Sequence, residues 1–336
     1  MSDLRAINPL SWFEVPRSVV EPLVRLLRLS NTVLDVAFYD VNLLVADLHA
    51  CGLSVETDPD DEEVLRSGEA ADALRVLDLN ALSNPEGSIL VVSTKGPPYV
   101  THFDDVRDFL TYANARARAI RTVSITGVGS SALGSAAFAW NISAAIGQPV
   151  AAIVPGYGVA DVVQQALAGW FGFGMYNLWV KQLAQNMIAH TAPDIAHIGR
   201  RLMKTAPGHE EAGNGAPLFR RGSGSSDVLH AILKELPCIN QVLGHSKGAL
   251  VIKNAINDLP SETTARLHIV TFGCPIDEAA PKVARYHQVL GRLDWLGWLN
   301  AWGNPPGVEI LSHHSTNTWI ALSMPVTSLT RRETRD

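Results

Sequence analysis

The sequence predicts an α/β fold, a mostly parallel sheet covered by helices, on three observations. Short apolar runs of strand length alternate with helical segments from residue 88 to residue 311. That alternation implies a parallel sheet with helices on both faces. Gly244-His245-Ser246-Lys247-Gly248 stands between an apolar run, Ile239 to Leu243, and a helix-like segment, Ala249 to Ile256. Finally, an aspartate and a histidine pair, Asp294 and His313-His314, each follow a later apolar run, just past the expected strand end. Open α/β sheets place their sites at strand carboxyl ends.

The elements follow in order. Residues 17 to 50 read as helical, with Val19, Val20, Leu23, Leu26 and Leu27 at helical spacing and a second periodic run from Leu34 to Leu48. The acidic run Asp58 to Glu63 reads as a solvated loop and helix start. Ser88 to Ser93 is the first buried strand, Asp104 to Ala119 a helix, and Thr122 to Thr126 the next strand. A helix to about Ile146 and a strand from Val150 to Val154 follow. Residues 159 to 204 break the rhythm with an apolar insertion holding Trp170, Phe171, Phe173, Tyr176 and Trp179. Residues 205 to 226, rich in Gly, Pro and Ser, read as a mobile loop. The alternation resumes with a helix at 227 to 235, the strand into Ser246 and a helix to Leu259. Strands at Leu267 to Phe272, Arg285 to Leu290 and Val308 to Leu311 complete it. Residues 1–85 are expected to form a helical region packed on the core. Residues 86–330 are expected to form the α/β domain, with a lid or cap insertion at about 159–226.

Composition narrows the class. Apolar content of 47% against 18% charged fits a folded core in a chain of 336 residues. The net charge of −6 offers no general attraction to nucleic acid. Cys51, Cys238 and Cys274 are odd in number and widely spaced. No disulfide framework or metal site is expected, and a cytoplasmic location follows from the reducing reading. The uncharged stretches 122–160 and 162–180 raise a membrane span. Glycines and prolines break the first, and Gln164, Gln165 and Asn177 interrupt the second. Both read better as buried soluble core.

The chemistry rests on Ser246. A serine at a sharp strand-to-helix turn projects its Oγ above the sheet, and the glycines allow close packing of strand and helix. A serine hydroxyl is a poor nucleophile without a base, and the base needs an acid to hold its tautomer. The chain order Ser, Asp, His supplies both as Ser246, Asp294 and His314. Asp277 competes for the acid and His313 for the base; His314 opens an H-x-x-N pattern with Asn317. His245 reads as structural. One oxyanion-hole amide is expected from Lys247, the other from the loop opening at Gly127, with Val128 ahead of Gly129. Gly127-x-Gly129-x-x-Ala132 also matches a dinucleotide fingerprint, but no acid ends the next strand to hold a ribose.

Val270-Thr271-Phe272-Gly273-Cys274-Pro275 resembles the segment after the nucleophile in class 3 (fungal-type) lipases. Asp294-Trp295-Leu296-Gly297 and His314-Ser315-Thr316-Asn317 match that family's later layout. The resemblance spans residues 228 to 320 and implies an α/β-hydrolase fold. The elbow departs from the family, reading Gly-His-Ser-Lys-Gly-Ala where the family has Gly-His-Ser-Leu-Gly-Gly. The glycine loop at 127–134, with Gly156-Tyr157-Gly158, is also similar to bacterial α/β-hydrolases. The expectation is a serine carboxylester hydrolase on hydrophobic acyl esters, needing no cofactor or metal. It would work at a lipid surface or granule and bind no nucleic acid. Two rivals remain open: a polyester or thioester hydrolase or acyltransferase on the same triad, and a non-catalytic protein that binds hydrophobic surfaces.

Overall fold

The structure, a computed structural model, describes residues 32–56, 75–79, 84, 87–115, 119–127, 130–155, 224–257, 259–275, 283–301 and 306–334. The insertion at 159–204, most of the loop at 205–226, the acidic run and the helix expected before residue 32 lie outside them.

Eight strands form one mixed, mostly parallel sheet, in the order β10-β9-β8-β7-β5-β6-β3-β4. The strands are β3 (Ile89–Val92), β4 (Val100–Phe103), β5 (Thr122–Ile125), β6 (Val150–Ile153), β7 (Gln241–His245), β8 (His268–Phe272), β9 (Arg285–Gly291) and β10 (Val308–Ile310). The six from β10 to β6 run parallel, while β3 is antiparallel to both β6 and β4. A separate parallel pair, β1 (Leu53–Glu56) and β2 (Arg75–Asp78), makes a second small sheet.

Strands β3, β5 and β6 are buried at every position, which explains their unbroken apolar sequence. Successive side chains still part to opposite faces. Leu90, Ala152, Leu243, Val270 and Phe272 enter one core; Ile89, Val123, Ile153, Val242 and Ile269 enter the other. Helices α2 (Val41–Ala50), α4 (Ala132–Ile146) and α9 (Val326–Glu333) cover the first face through residues such as Leu44, Phe138 and Leu329. Helices α3 (Val106–Ala115), α5 (Gly224–Glu235) and α6 (Gly248–Ile256) cover the second through Phe109, Leu229 and Ile252. The long uncharged run from Thr122 is thus β5, the almost wholly buried α4, and β6. Among the described residues no helix is long and apolar enough to cross a membrane.

The periodic run from Leu34 to Leu48 is two helices, α1 (residues 32–38) and α2, parted at Tyr39 and Asp40. The break has a distant cause. The last carbonyls of a helix lack partners within it, and the segment after His314 supplies them. Asn317 Nδ2 donates to Val36 O (2.6 Å), Ser315 Oγ to Ala37 O (2.7 Å) and Thr316 Oγ1 to Phe38 O (2.6 Å). Asp40, buried between the two helices, accepts from Thr318 N and Oγ1 (2.6 and 2.7 Å) and from Asn141 Nδ2.

One topological feature positions the site. From β5 the chain crosses to β6 on one side, whereas β7, β8, β9 and β10 build outward on the other. The carboxyl ends of β5 and β7 therefore flank the switch point, where open α/β sheets leave a crevice.

Candidate active site

Ser246 follows β7 with φ +53°, a left-handed backbone that non-glycine residues seldom adopt. Its amide donates to Phe272 O (2.7 Å) on β8, and its carbonyl accepts from Ala249 N (3.0 Å) in α6. The turn holds because strand and helix meet almost backbone to backbone. A Cβ at Gly244 would lie 2.7 Å from Ile252 Cδ1 and 3.0 Å from the Gly248 carbonyl carbon; one at Gly248 would run into the Ile125 carbonyl oxygen of β5. Such an elbow stores strain of about 1–3 kcal/mol, which the surrounding packing must offset. Ser246 does not cap the helix. The residue in the N-cap position is Lys247, whose side chain makes no capping hydrogen bond.

Asp294 lies three residues beyond β9 and is fully buried. Its Oδ1 accepts the amide of Gly297 (2.7 Å), so the carboxylate also seats the start of α8 (Trp295–Ala301). His314 lies beyond β10, 8% exposed, with Nδ1 2.8 and 2.9 Å from the two Asp294 oxygens. Phe38 of α1 meets its ring edge-on, centroids 5.6 Å apart. His313 is used differently. Its Nδ1 accepts from Ser315 N (3.0 Å), so its Nε2–H donates to Ala321 O (2.9 Å) within its own loop. The structure thus brings Asp294 and His314 together and leaves His313 apart. Asp277 lies outside the described residues.

Ser246, Lys247, His245 and His314 line one cavity of about 200 Å³ with Gly127, Ser130 and Leu296. Gly127 comes so close that a Cβ on it would lie 3.4 Å from Ser246 Oγ. Lys247, expected to offer an oxyanion amide, follows Ser246 and lines the same cavity. Val128 and Gly129 lie outside the described residues, although both flanks of that loop, Gly127 and Ser130, face the cavity.

The remaining wall comes from α1 and Tyr39 just after it, a region expected only to pack on the core. Leu34, Asp35, Phe38 and Tyr39 all line the cavity. Asp35 is fully buried and accepts from Ser131 N (3.2 Å) and Ser131 Oγ (2.5 Å) at the start of α4. Burial pushes its carboxyl up to about 6, against the pull of hydrogen bonds from Ser131, Ser130 and Gly134. Tyr39 Oη accepts from Gly127 N (2.8 Å) and lies 2.9 Å from His245 Nδ1. His245 Nε2 lies 2.9 Å from the His314 carbonyl oxygen. Burial, then the nearby His314, hold His245 down to about 3, so it is neutral. One signal in the sequence pointed here: Asp35 and Tyr39 stand four apart inside an apolar periodic run, on one helical face.

Among the described residues no group of three or more His, Cys, Asp or Glu is placed to hold a metal ion. Burial pushes the Cys274 thiol up to about 12, leaving it an inert packing residue. No protein-family model matches the chain, and neither a curated protein nor a solved structure matches it.

Proposed function

We propose that the protein is a serine carboxylester hydrolase of the α/β-hydrolase fold, acting on hydrophobic acyl esters. One observation carries the reading: Ser246, in a left-handed turn between β7 and α6, shares a cavity with His314, whose Nδ1 is held by the buried Asp294. Ser246 Oγ attacks the acyl carbonyl while His314 Nε2 takes its proton. His314 then gives that proton to the leaving alcohol, and an acyl-enzyme forms. Asp294 holds the proton on Nδ1, which leaves Nε2 as the basic nitrogen. The amides of Lys247 and Val128 receive the oxyanion. Water, deprotonated by His314, then releases the acid and restores Ser246.

Large apolar side chains support a hydrophobic substrate. Trp295, 69% exposed, follows Asp294, and Trp319, 71% exposed, follows His314. Leu293 beside Trp295, Leu322 beyond Trp319 and Val33 on α1 are exposed as well. Exposed apolar residues on the segments that carry Asp294 and His314 mark a surface that meets apolar material. Those tryptophans would equally serve a protein that only adsorbs to hydrophobic surfaces. That rival needs Ser246 as a helix cap, and a left-handed Ser246 one residue before the N-cap position does not act as one. Transfer to an alcohol or thiol would use the same acyl-enzyme, with product analysis in the presence of acceptors to separate it from hydrolysis.

The test is turnover of p-nitrophenyl esters from acetyl to palmitoyl by wild type and Ser246→Ala. Wild type is expected to hydrolyse the esters, and the variant to lose activity by about 10⁴-fold or more. Equal activity in the two would remove Ser246 from the chemistry.

A further inference from the structure

We propose that Tyr39 is a positioning residue, whose hydroxyl fixes the spacing between the oxyanion loop and the catalytic histidine through the ring of His245. The proposal rests on the hydrolase reading and assigns a role to two residues outside the triad.

The direction of the hydrogen bonds follows from counting protons. The Gly127 amide can only donate, so Tyr39 Oη accepts it (2.8 Å). The phenol proton then goes to His245 Nδ1 (2.9 Å). With Nδ1 accepting, the proton of neutral His245 must sit on Nε2, where it donates to the His314 carbonyl (2.9 Å). The relay runs one way, from the end of β5 to the backbone of His314. Tyr39 and His245 are 3% and 1% exposed, so both hydrogen bonds are shielded from bulk solvent. Burial raises the Tyr39 hydroxyl well above its usual range and depresses His245, which keeps both neutral and the direction locked. Phe138 braces both rings, at 5.9 and 6.1 Å between centroids.

The two ends of the relay are the two groups whose separation matters. Gly127 touches Ser246 and opens the loop expected to supply the second oxyanion amide. His314 carries the base. Asp294 sets the orientation of its ring, and the relay sets where its backbone lies. A displacement of about 1 Å at such a site costs on the order of 100-fold in rate. Losing one hydroxyl would orphan the Gly127 amide and the His245 acceptor together, and both would shift to find partners.

Tyr39→Phe is the test, since it keeps the ring packing and removes only the oxygen. Four quantities are compared with wild type: labelling of Ser246 by a fluorophosphonate, kcat and KM on p-nitrophenyl butyrate, the melting temperature, and the His245 tautomer from long-range ¹H–¹⁵N correlation spectra. The expected result is kcat lower by about 10- to 100-fold with KM within about twofold, and a melting temperature lower by a few degrees in a protein that still folds. His245 should be an Nε2–H tautomer that does not titrate between about pH 5 and 8 in wild type, and a mixture in the variant. An unchanged kcat in Tyr39→Phe, with wild type still labelled at Ser246, would overturn the positioning role and leave the hydrolase standing. A wild-type His245 that carries its proton on Nδ1, or that titrates in that range, would overturn the relay even if the variant failed to fold. Failure of wild type to label and to turn over esters is distinguishable, because it removes the hydrolase and the positioning role together.

Discussion

Three buried polar side chains, Asp35, Tyr39 and His245, do more to define this site than their sequence neighbourhood suggests. Each is placed where its ordinary protonation is altered or locked by burial. Asp35 has consequences for stability that can be measured. Its folded carboxyl, at about 6, holds a proton more tightly than the unfolded one, at 3.8. The protonated form is therefore favoured in the fold. That stabilisation is fully present below pH 3.8 and is lost as the pH rises through about 6. The loss amounts to about 3 kcal/mol by linkage. Asp35→Asn keeps the shape and cannot ionise, so it should gain on wild type by about 2 kcal/mol between pH 4 and pH 7 in chemical denaturation. A constant offset between the two proteins across that range would mean that Asp35 titrates as an ordinary carboxylate. The choice between His314 and His313 is also a residue-scale matter. Both are next to each other in the chain, and the H-x-x-N pattern favoured the first. The pattern has a physical basis: Asn317 is the residue that ties the loop to α1, and that tie presents His314 to Asp294 while His313 folds back on Ala321.

At the scale of elements, α1 and the segment 314–318 hold each other. A helix leaves its last carbonyls without partners of its own. Here its carbonyl end is capped by three side chains in a row, and in return it fixes the base-bearing loop. Asn317 is the sharpest probe, since its amide nitrogen donates to Val36 O (2.6 Å) and its oxygen accepts from Trp319 N (2.9 Å). Asn317→Ala should cost about 1–3 kcal/mol in urea denaturation, because it leaves a carbonyl and an amide without partners. A change below about 0.5 kcal/mol would show that water replaces the amide at no cost and that the cap does not hold α1. Leu322, with φ +62°, closes the same loop by accepting from His313 N (2.9 Å). The loop thus carries a second left-handed residue beside the site.

For the whole molecule, what the sequence made legible was what repeats locally. Strands β3 and β5 to β8 announced themselves as apolar runs, because a strand covered on both faces has no polar side to disguise it, and β9 and β10 were legible from shorter apolar stretches at their ends. The switch point followed from their order. The strands that escaped notice, β1, β2 and β4, are as long as β3, β5 and β6, but polar residues break their apolar runs: Ser54 and Glu56, Arg75 and Asp78, Thr101 and His102. The break between α1 and α2 could not be read locally, since the groups that end α1 are 278 to 281 residues away. The contribution of α1 to the cavity escaped for the same reason. This long-range closure makes a global prediction. If α1, the loop at 314–318 and the sheet form one cooperative unit, activity and far-ultraviolet circular dichroism should be lost at the same urea midpoint. Activity lost well before the dichroism would mean that the α1 clasp opens as a separate local unit.

That clasp also sets a clock. Ser315 meets Ala37 across 278 residues of chain, and a ribosome adding about 5–20 residues per second takes roughly 15 to 60 seconds to make that stretch. Throughout that interval the carbonyls of α1 have been synthesised and their partners have not. The nascent chain carries its elbow serine and much of its sheet before it carries its base. On the hydrolase reading proposed above, activity would begin only when the last-made part of the site reaches back to the first.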